Sequence, residues 1–451
     1  MKVMNESVDA GVTSSARSNS LGVFFALALF FVFPKPFFVG YTLTHGGTAR
    51  WCYIVAMDFV PAALIALWVY AHAWKVPDRH IARSSSPDPL LTIRFAACVT
   101  VIFGHYFGVV FTTPAGPGEH PQYFLSRILM SSPWAGVWMF FTLSGYLMGK
   151  GFFSGRYAIS ASGAADFLWN RAFRIYPVYL FALLVIGTLS YPKSFEPENL
   201  WILVQTILMD YDGRMPINII GALWSVTTEF QFYLLAPLLA FVMTRIDEKW
   251  GMRTWMLAAL LVVGATANIV QARLTHFDPA YALTHIYLSI ASNLYLFVAG
   301  MMLAKLRTQK IQTRQSRHGL LFGFIVLVIL LLAQTLFASY WAFFGNRLHR
   351  YFVYIPPFVA MLTLLTISIF ESSEIRGFGS KIVKWTQIGG TLTYCAYVFH
   401  PQIMLSIRPI APQVLGLINQ IEFAPLIFSL IFIVSYVMHR GVEHPASKFR
   451  R

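Results

Sequence analysis

The chain has few charged residues and few cysteines, and both shortages exclude whole classes of protein. Charged side chains make up 12% of its 451 residues and hydrophobic ones 57%, which is too apolar for one soluble core. Its cysteines, Cys52, Cys98 and Cys395, lie far apart, with no CxxC pair and no metal-ligand spacing. We therefore expect a membrane protein without a metal site.

The sequence also lacks the short signatures of several enzyme classes. It has no glycine-rich phosphate loop, no HExxH and no GxSxG, so nothing predicts a bound cofactor. Acidic residues are scarce: 19 Asp and Glu face 34 Lys and Arg, for a net charge of +15. Anionic lipid and membrane topology account for this excess, so it predicts lipid contacts and no nucleic-acid partner.

What the chain has in abundance is apolar runs of about 20 residues, the length that crosses a bilayer. These runs predict an all-α fold, a polytopic bundle of membrane helices. The predicted spans are 21–43, 52–74, 91–112, 132–149, 172–191, 219–243, 254–271, 284–304, 319–338, 351–370, 387–407 and 422–438. The segment 201–209 is too short to cross and predicts an interfacial or re-entrant helix.

The basic residues give the spans a direction. Most of them lie before the first span, after the last one, and in alternate loops between. By the positive-inside rule these regions are cytoplasmic, which puts both termini inside. Residues 1–20 are polar and serine-rich, and they predict a disordered cytoplasmic tail.

Arg94 and His105 are the strongly polar residues of the third predicted span. Eleven residues come within about 20° of three full helical turns, so both side chains share a face, about 16 Å apart along the axis. Arg94 then lies at the cytoplasmic surface, where it is either a topology anchor or a functional group. His105 lies near the midplane, where an ionisable group faces a cavity or a partner, or is buried with one hydrogen bond.

Glu229 is the candidate partner for His105. The sixth predicted span runs inward, and Glu229, about ten residues into it, reaches a similar depth to His105. Beside an imidazole or in a water-filled cleft, this carboxyl could act as an acid or a base. The alternative is a neutral carboxyl that holds helices together.

Arg171 and Arg174 begin the fifth predicted span at positions i and i+3, on one helix face. Their forked guanidinium groups suit phosphate oxygens, so with Arg94 they predict an anion site at the inner membrane surface. On these residues alone, ordinary topology anchors are an equally good interpretation.

Six blocks together resemble the acyltransferase-3 family of integral membrane acyltransferases. They are Arg94 with His105, then "GVWMFFTLSGYLMGK", "FLWNRAFRIYPVYL", "LWSVTTEFQFYLLAPLL", "LTYCAYVFHPQI" and "HRGVEHPASKFRR". They follow the order of the family, which predicts an acyltransferase domain at 88–451. The family core usually has ten spans, so residues 21–87 predict two additional spans.

The resemblance implies transfer of an acyl group, most often acetyl, from cytoplasmic acyl-CoA to a hydroxyl of an extracytoplasmic glycan or lipid-linked saccharide. A bacterial inner membrane is the implied location. His105 and Glu229 match the family's essential histidine and an acidic residue, and they are the predicted catalytic residues. Arg94 matches the partner arginine of that histidine, Arg171 and Arg174 match an RxxR-type pair, and all three are predicted to bind the phosphates of acyl-CoA. Further site candidates by the same match are Ser144, Trp224, Tyr233 and His400. Trp138 departs from the family, in which many members have Asp.

Two other functions fit parts of the sequence. Twelve spans with both termini inside also predict a proton-coupled secondary transporter, with His105 and Glu229 as a proton relay. A lipid-binding or scaffolding protein is a third interpretation, but it leaves the six ordered blocks unexplained. The sequence leaves open whether the acyl group passes directly or through an intermediate on His105 or Ser144.

Overall fold

The structure is a computed structural model that describes residues 87–106, 133–190, 197–209, 223–309, 318–343, 348–374, 377–407 and 417–451. The predicted tail at 1–20 and the predicted spans at 21–43 and 52–74 lie outside these ranges.

All the regular elements of the described ranges are helical, which confirms the predicted all-α class. They are α1 (Pro89–His105), α2 (Pro133–Phe153), α3 (Ala161–Ser190), α4 (Leu200–Leu208), α5 (Leu223–Trp250), α6 (Thr254–Leu274), α7 (Ile290–Gln309), α8 (Gly319–Phe343), α9 (Leu348–Tyr354), α10 (Pro356–Glu371), α11 (Gly377–Ile407) and α12 (Leu417–Met438). Short π-helical turns precede α7 and follow α12, at Ala282–Tyr287 and His439–Glu443.

The predicted spans and the observed helices coincide in the middle and differ at their ends. Helix α3 begins at Ala161 and α11 at Gly377, well before the predicted starts at 172 and 387. Hydropathy marks the apolar part of a helix and misses its polar turns. The short segment 201–209 does form a separate helix, α4, whose Trp201 is 70% exposed.

Three described helical segments are by themselves long and apolar enough to cross a membrane: Leu223–Trp250, Thr254–Leu274 and Ala424–Ser447. The last one comprises most of α12, the π-helical turn that follows it and the short helix His444–Ser447. Pro279–Tyr287 and Ile290–Gln309, bent by 43° at a short break, would together make a fourth. The count of twelve spans therefore stays a prediction.

The outer surface of the bundle is apolar, as a lipid-facing surface must be. On α6, for example, Val262 and Val263 are 64% and 66% exposed. Such contiguous apolar exposure is uncommon on soluble proteins. This apolar exposure agrees with a helix bundle whose outer surface contacts lipid.

Helix α2 lies at the centre and packs most extensively against α7. The contact depends on two glycines, because a Cβ at Gly145 would overlap the backbone of Phe297, and one at Gly300 would overlap that of Thr142. Small residues let membrane helices approach this closely. Gly145 thus has a packing role, while its neighbour Ser144 points elsewhere.

Helices α1 and α11 run parallel, with an almost constant offset in register. Three hydrogen bonds made by side chains join them: Thr92 to Thr386 (2.7 Å), the Cys98 thiol to the Thr393 carbonyl (3.6 Å), and His105 to His400 (2.9 Å). Hydrogen bonds between membrane helices contribute only about 0.6 kcal/mol each on average. Their main effect here is to fix the register, and with it the partner of His105.

Candidate functional site

A cavity lined by both apolar and polar side chains opens between α1, α2, α3, α5 and α11. It measures ≈ 600 Å³ with the open space at its mouth, and three charged residues, Arg94, Arg174 and Glu229, line it. The hydroxyl groups in its wall belong to Ser144, Ser225, Tyr233, Thr393, Tyr394 and Tyr397. A concave site with a few convergent polar groups is the usual form of a small-molecule site.

Glu229 lies in this cavity with two hydroxyl donors. The Ser144 and Tyr233 hydroxyls both donate to its Oε1, the latter over 2.5 Å. Tyr233 lies one turn after Glu229 on α5, and Ser144 comes from α2. Glu229 also interacts electrostatically with Arg94, so this carboxyl is held among donors and a cation.

The three predicted arginines are close enough for their charges to interact. Arg94 interacts electrostatically with Arg174 and Arg171, which lie on α3 about one and two turns before Pro177. Arg171 also lies over the rings of Phe167 and Tyr233, at 5.5 and 5.7 Å. Such ring contacts hold a guanidinium without using its hydrogen-bond donors.

A fourth arginine that the sequence analysis did not single out, Arg450, joins them. It interacts electrostatically with Arg174 and Arg171, and with the buried carboxyl of Glu443. We call Arg94, Arg171, Arg174 and Arg450 the arginine cluster. Within the described chain, no carboxylate forms a hydrogen-bonded ion pair with any of the four.

His105 has a different neighbour from the one expected. Its Nδ1 lies 2.9 Å from Nε2 of His400, and the two ring centroids are 5.0 Å apart. Among the hydrogen bonds of the described chain, none joins His105 to Glu229. The structure therefore gives Glu229 and His105 separate hydrogen-bond partners, and the predicted pairing of the two stays a prediction. We call His105 and His400 the imidazole pair.

Hydrogen bonding defines the tautomers of the imidazole pair. Nδ1 of His400 lies 2.8 Å from the Tyr397 carbonyl, which can only accept, so this nitrogen carries a proton. In a neutral ring Nε2 of His400 then accepts from Nδ1–H of His105. In this tautomer the lone pair of His105 is on Nε2, and the ring also forms a hydrogen bond with the Val101 backbone.

The imidazole pair adjoins the cavity without lining it. Tyr397 connects them: its carbonyl accepts from His400, its side chain lines the cavity, and its hydroxyl lies 2.5 Å from that of Ser225. Tyr397 and Ser225 were not singled out from the sequence. Each lies beside a residue that the sequence analysis did single out: Tyr397 is three residues before His400, and Ser225 directly follows Trp224. The sequence motifs therefore identified the correct turns of α11 and α5 but not these two residues.

Trp224 and Trp138 are core residues. Trp224 is buried, with ring centroids 4.6 Å from Tyr287 and 6.2 Å from Phe141. Trp138, at the position where many members of the resembled family have Asp, is fully buried against Tyr287 and Tyr351. The other predicted candidates, Ser144 and Tyr233, line the cavity.

Two of three similar known proteins are named as O-acetyltransferases, and the third is named as a nodulation protein. The O-acetyltransferase OatA of Staphylococcus aureus (strain NCTC 8325 / PS 47) is 26% identical over 72% of this chain and 54% of its own length. The peptidoglycan O-acetyltransferase OatA of Listeria monocytogenes is 24% identical over 69% of this chain and 51% of its own. Nodulation protein 10 of Rhizobium leguminosarum bv. viciae is 29% identical over 41% and 50%.

The chain spans about half the length of these curated relatives. No solved structure matches it. A family described as an acyltransferase domain matches residues 90–440, which include both members of the imidazole pair and all of the arginine cluster except Arg450. On this match over most of its length, the chain belongs to the acyltransferase-3 family.

Proposed function

We propose that this chain transfers an acyl group, most often acetyl, from cytoplasmic acyl-CoA to a hydroxyl of an extracytoplasmic glycan or lipid-linked saccharide. The names of the relatives support O-acetyl transfer, and that of the Listeria protein supports a cell-wall glycan as the acceptor. The proposed location is a bacterial inner membrane with both chain termini cytoplasmic, as the basic loops predict.

One observation carries the proposal: a single helix, α1, connects a guanidinium-lined cavity to the imidazole pair. The phosphates of acyl-CoA cannot enter hydrocarbon, and forked guanidinium groups are suited to bind them. The rise along α1 from Arg94 to His105 is about 16 Å. The thin pantetheine arm would cover this distance while the phosphates stay with the arginine cluster.

The proposed chemistry uses the lone pair of His105. Nε2 takes the proton of the acceptor hydroxyl as the oxygen attacks the thioester carbonyl. The new C–O bond forms, the C–S bond breaks, and the proton passes on to the departing thiolate of CoA. While His105 is protonated, its Nδ1–H still donates to His400, which holds the ring in place and stabilises its charge.

Direct transfer fits the surroundings of Ser144 better than an acyl-serine does. The Ser144 hydroxyl donates to Glu229, and Glu229 interacts with Arg94. Among the described hydrogen bonds, no histidine, the usual activating partner of a serine nucleophile, contacts the Ser144 hydroxyl. Ser144 and Tyr233 are then positioning residues for Glu229, and Glu229 shapes the charge of the donor site.

The competing transporter interpretation needs a proton path from His105 to Glu229. These residues have separate hydrogen-bond partners, His400 for one and Ser144 with Tyr233 for the other. Within the described chain, no hydrogen bond links the two groups. The geometry therefore favours acyl transfer over a relay.

The proposal is tested with the full chain reconstituted in sealed vesicles. Acetyl-CoA with a labelled acetyl group is supplied only on the side of the basic loops, and a hydroxyl-bearing cell-wall glycan only on the other. We expect label on the glycan, absent with His105→Ala. Label that stays on CoA would contradict acyl transfer, and label reaching only glycan on the donor side would contradict a site open to both faces.

A further inference from the structure

The segment 444–451 is fixed against the cytoplasmic end of α3. The Asn170 side chain binds the backbone of Arg451 in both directions, accepting from its N–H (2.6 Å) and donating to its carbonyl (2.8 Å). The indole of Trp169 donates to the Phe449 carbonyl (3.0 Å). Arg450 is held between these two anchored residues, next to the turn of α3 that carries Arg171.

The adjacent arginines of this segment have different surroundings. Arg451 is exposed; its guanidinium lies 3.1 Å from Asp166 and 4.8 Å from the ring of Trp169. Arg450 instead has a buried Nε and interacts electrostatically with Arg174 and Arg171. The backbone anchors thus direct one guanidinium to the surface and the next into the arginine cluster.

Positive charges predominate around Arg450. Arg450 interacts electrostatically with Arg174, with Arg171 and with one carboxyl, that of Glu443, and Arg94 of the same cluster interacts with Glu229. Each carboxyl also accepts hydrogen bonds from other groups through one oxygen: Oε1 of Glu229 accepts from two hydroxyls, and Oε2 of Glu443 accepts from His439 (2.9 Å) and the Cys395 thiol (3.4 Å).

Hydrogen-bond donors are also in excess. The buried Nε atoms of Arg171 and Arg450 have no acceptor within the described chain. Holding like charges together without hydrogen-bonded anions is unfavourable. A ligand with several negative oxygens would supply both the missing charge and the missing acceptors.

We propose that Arg450 is a phosphate-binding residue of the donor site, acting with Arg171 and Arg174 on the phosphates of acyl-CoA. The inference rests on the proposed function for the identity of the ligand. It adds a residue from outside the matched range 90–440, and it gives the anchored segment 444–451 a role in binding.

The competing role for Arg450 is structural, as a counter-charge for Glu443. The two roles differ in what a second substitution does. If Arg450 only balances Glu443, then removing both charges in the double variant Arg450→Gln/Glu443→Gln restores what Arg450→Gln lost. If Arg450 binds phosphate, the loss of affinity persists in the double variant.

The test is equilibrium binding of acetyl-CoA to the full chain in lipid nanodiscs. Arg450→Gln should raise Kd about tenfold or more, the effect of losing a charge-assisted hydrogen bond. Arg451→Gln, the matched control one residue away, should change Kd by less than about twofold, because its exposed ion pair contributes little. Arg450→Lys, which keeps the charge, should lie between them, and unfolding midpoints without ligand show that each variant is folded.

Binding of acetyl-dephospho-CoA identifies the phosphate. If Arg450→Gln weakens the binding of acetyl-CoA but not that of acetyl-dephospho-CoA, Arg450 contacts the 3′-phosphate. If it weakens the binding of both ligands, Arg450 contacts the diphosphate. The inference is overturned if Arg450→Gln binds acetyl-CoA like the unsubstituted chain, or if the double variant regains affinity. No binding by the unsubstituted chain would instead contradict the proposed function itself.

Discussion

The imidazole pair and the arginine cluster both involve α1, yet they satisfy their polar groups in opposite ways. In the imidazole pair each N–H has an acceptor inside the protein, the His400 ring for His105 and the Tyr397 carbonyl for His400. In the arginine cluster no carboxylate of the described chain accepts from a guanidinium.

This difference separates chemistry from binding. A group whose hydrogen bonds are internal has a fixed orientation, which suits proton transfer. A cluster of cations without internal acceptors is suited to bind an anion from outside. If the comparison is valid, substitutions in the imidazole pair should lower kcat, and substitutions in the arginine cluster should raise KM for acyl-CoA.

The largest effect is expected at His105. His105→Ala should lower the rate of acyl transfer on the order of 10²-fold or more, because a positioned general base is lost. The measurement is transfer of labelled acetyl at saturating acetyl-CoA. His318→Ala, which removes an exposed imidazole at the start of α8, is the control and should retain full activity. Near-normal turnover in a folded His105→Ala protein would remove this mechanism.

His400 distinguishes positioning from packing. His400→Phe fills the volume but offers Nδ1–H of His105 no acceptor, so kcat should fall about tenfold or more, with KM unchanged. His400→Gln presents an amide oxygen that can accept, and it should recover part of the loss. Equal activity of the two variants would show that His400 only packs.

The arginine cluster should show the opposite pattern. Arg174→Ala should raise KM for acetyl-CoA about tenfold, with kcat largely retained at saturation, because a phosphate contact is lost while the base is intact. Arg94→Lys keeps the charge but not the fork, and should have a smaller effect in the same direction. A fall in kcat alone would place these arginines in the chemical step.

The smallest effect is expected at Ser144. Ser144→Ala removes one of two donors to Glu229, and should slow transfer by no more than about threefold, because the Tyr233 hydroxyl still donates to the same oxygen and the base, His105, is intact. Rates are compared with those of Tyr233→Phe, which removes the other donor. A loss as large as that of His105→Ala would indicate an acyl-serine intermediate.

The sequence predicted the helices and most site residues, but not which side chains face each other. The spacing of Arg94 and His105 correctly predicted that one helix carries both. It could not predict that Arg94 lines the cavity while His105 contacts α11, because periodicity defines a helix face and not the neighbour that covers it. His400 is 295 residues away in the chain, and only the register of α1 with α11 makes it the partner.

Glu229 and Arg450 show two further limits of sequence reasoning. Similar depth suggested that Glu229 meets His105, but depth along a span says nothing about lateral position. Arg450 belongs to a basic stretch that is typical of a topology signal. Its buried Nε depends on the anchoring of Phe449 and Arg451 by Trp169 and Asn170, which is a tertiary contact.

The central claim is that the imidazole pair carries the chemistry and the arginine cluster carries the binding of acyl-CoA. The most direct test of this claim measures acetyl-CoA binding and acetyl transfer together for His105→Ala and Arg174→Ala. We predict that His105→Ala binds acetyl-CoA with unchanged Kd and does not transfer the acetyl group, whereas Arg174→Ala binds about tenfold more weakly and still transfers it at saturation. If both variants lose binding and transfer together, the imidazole pair and the arginine cluster act as one unit, and the separation of chemistry from binding is contradicted.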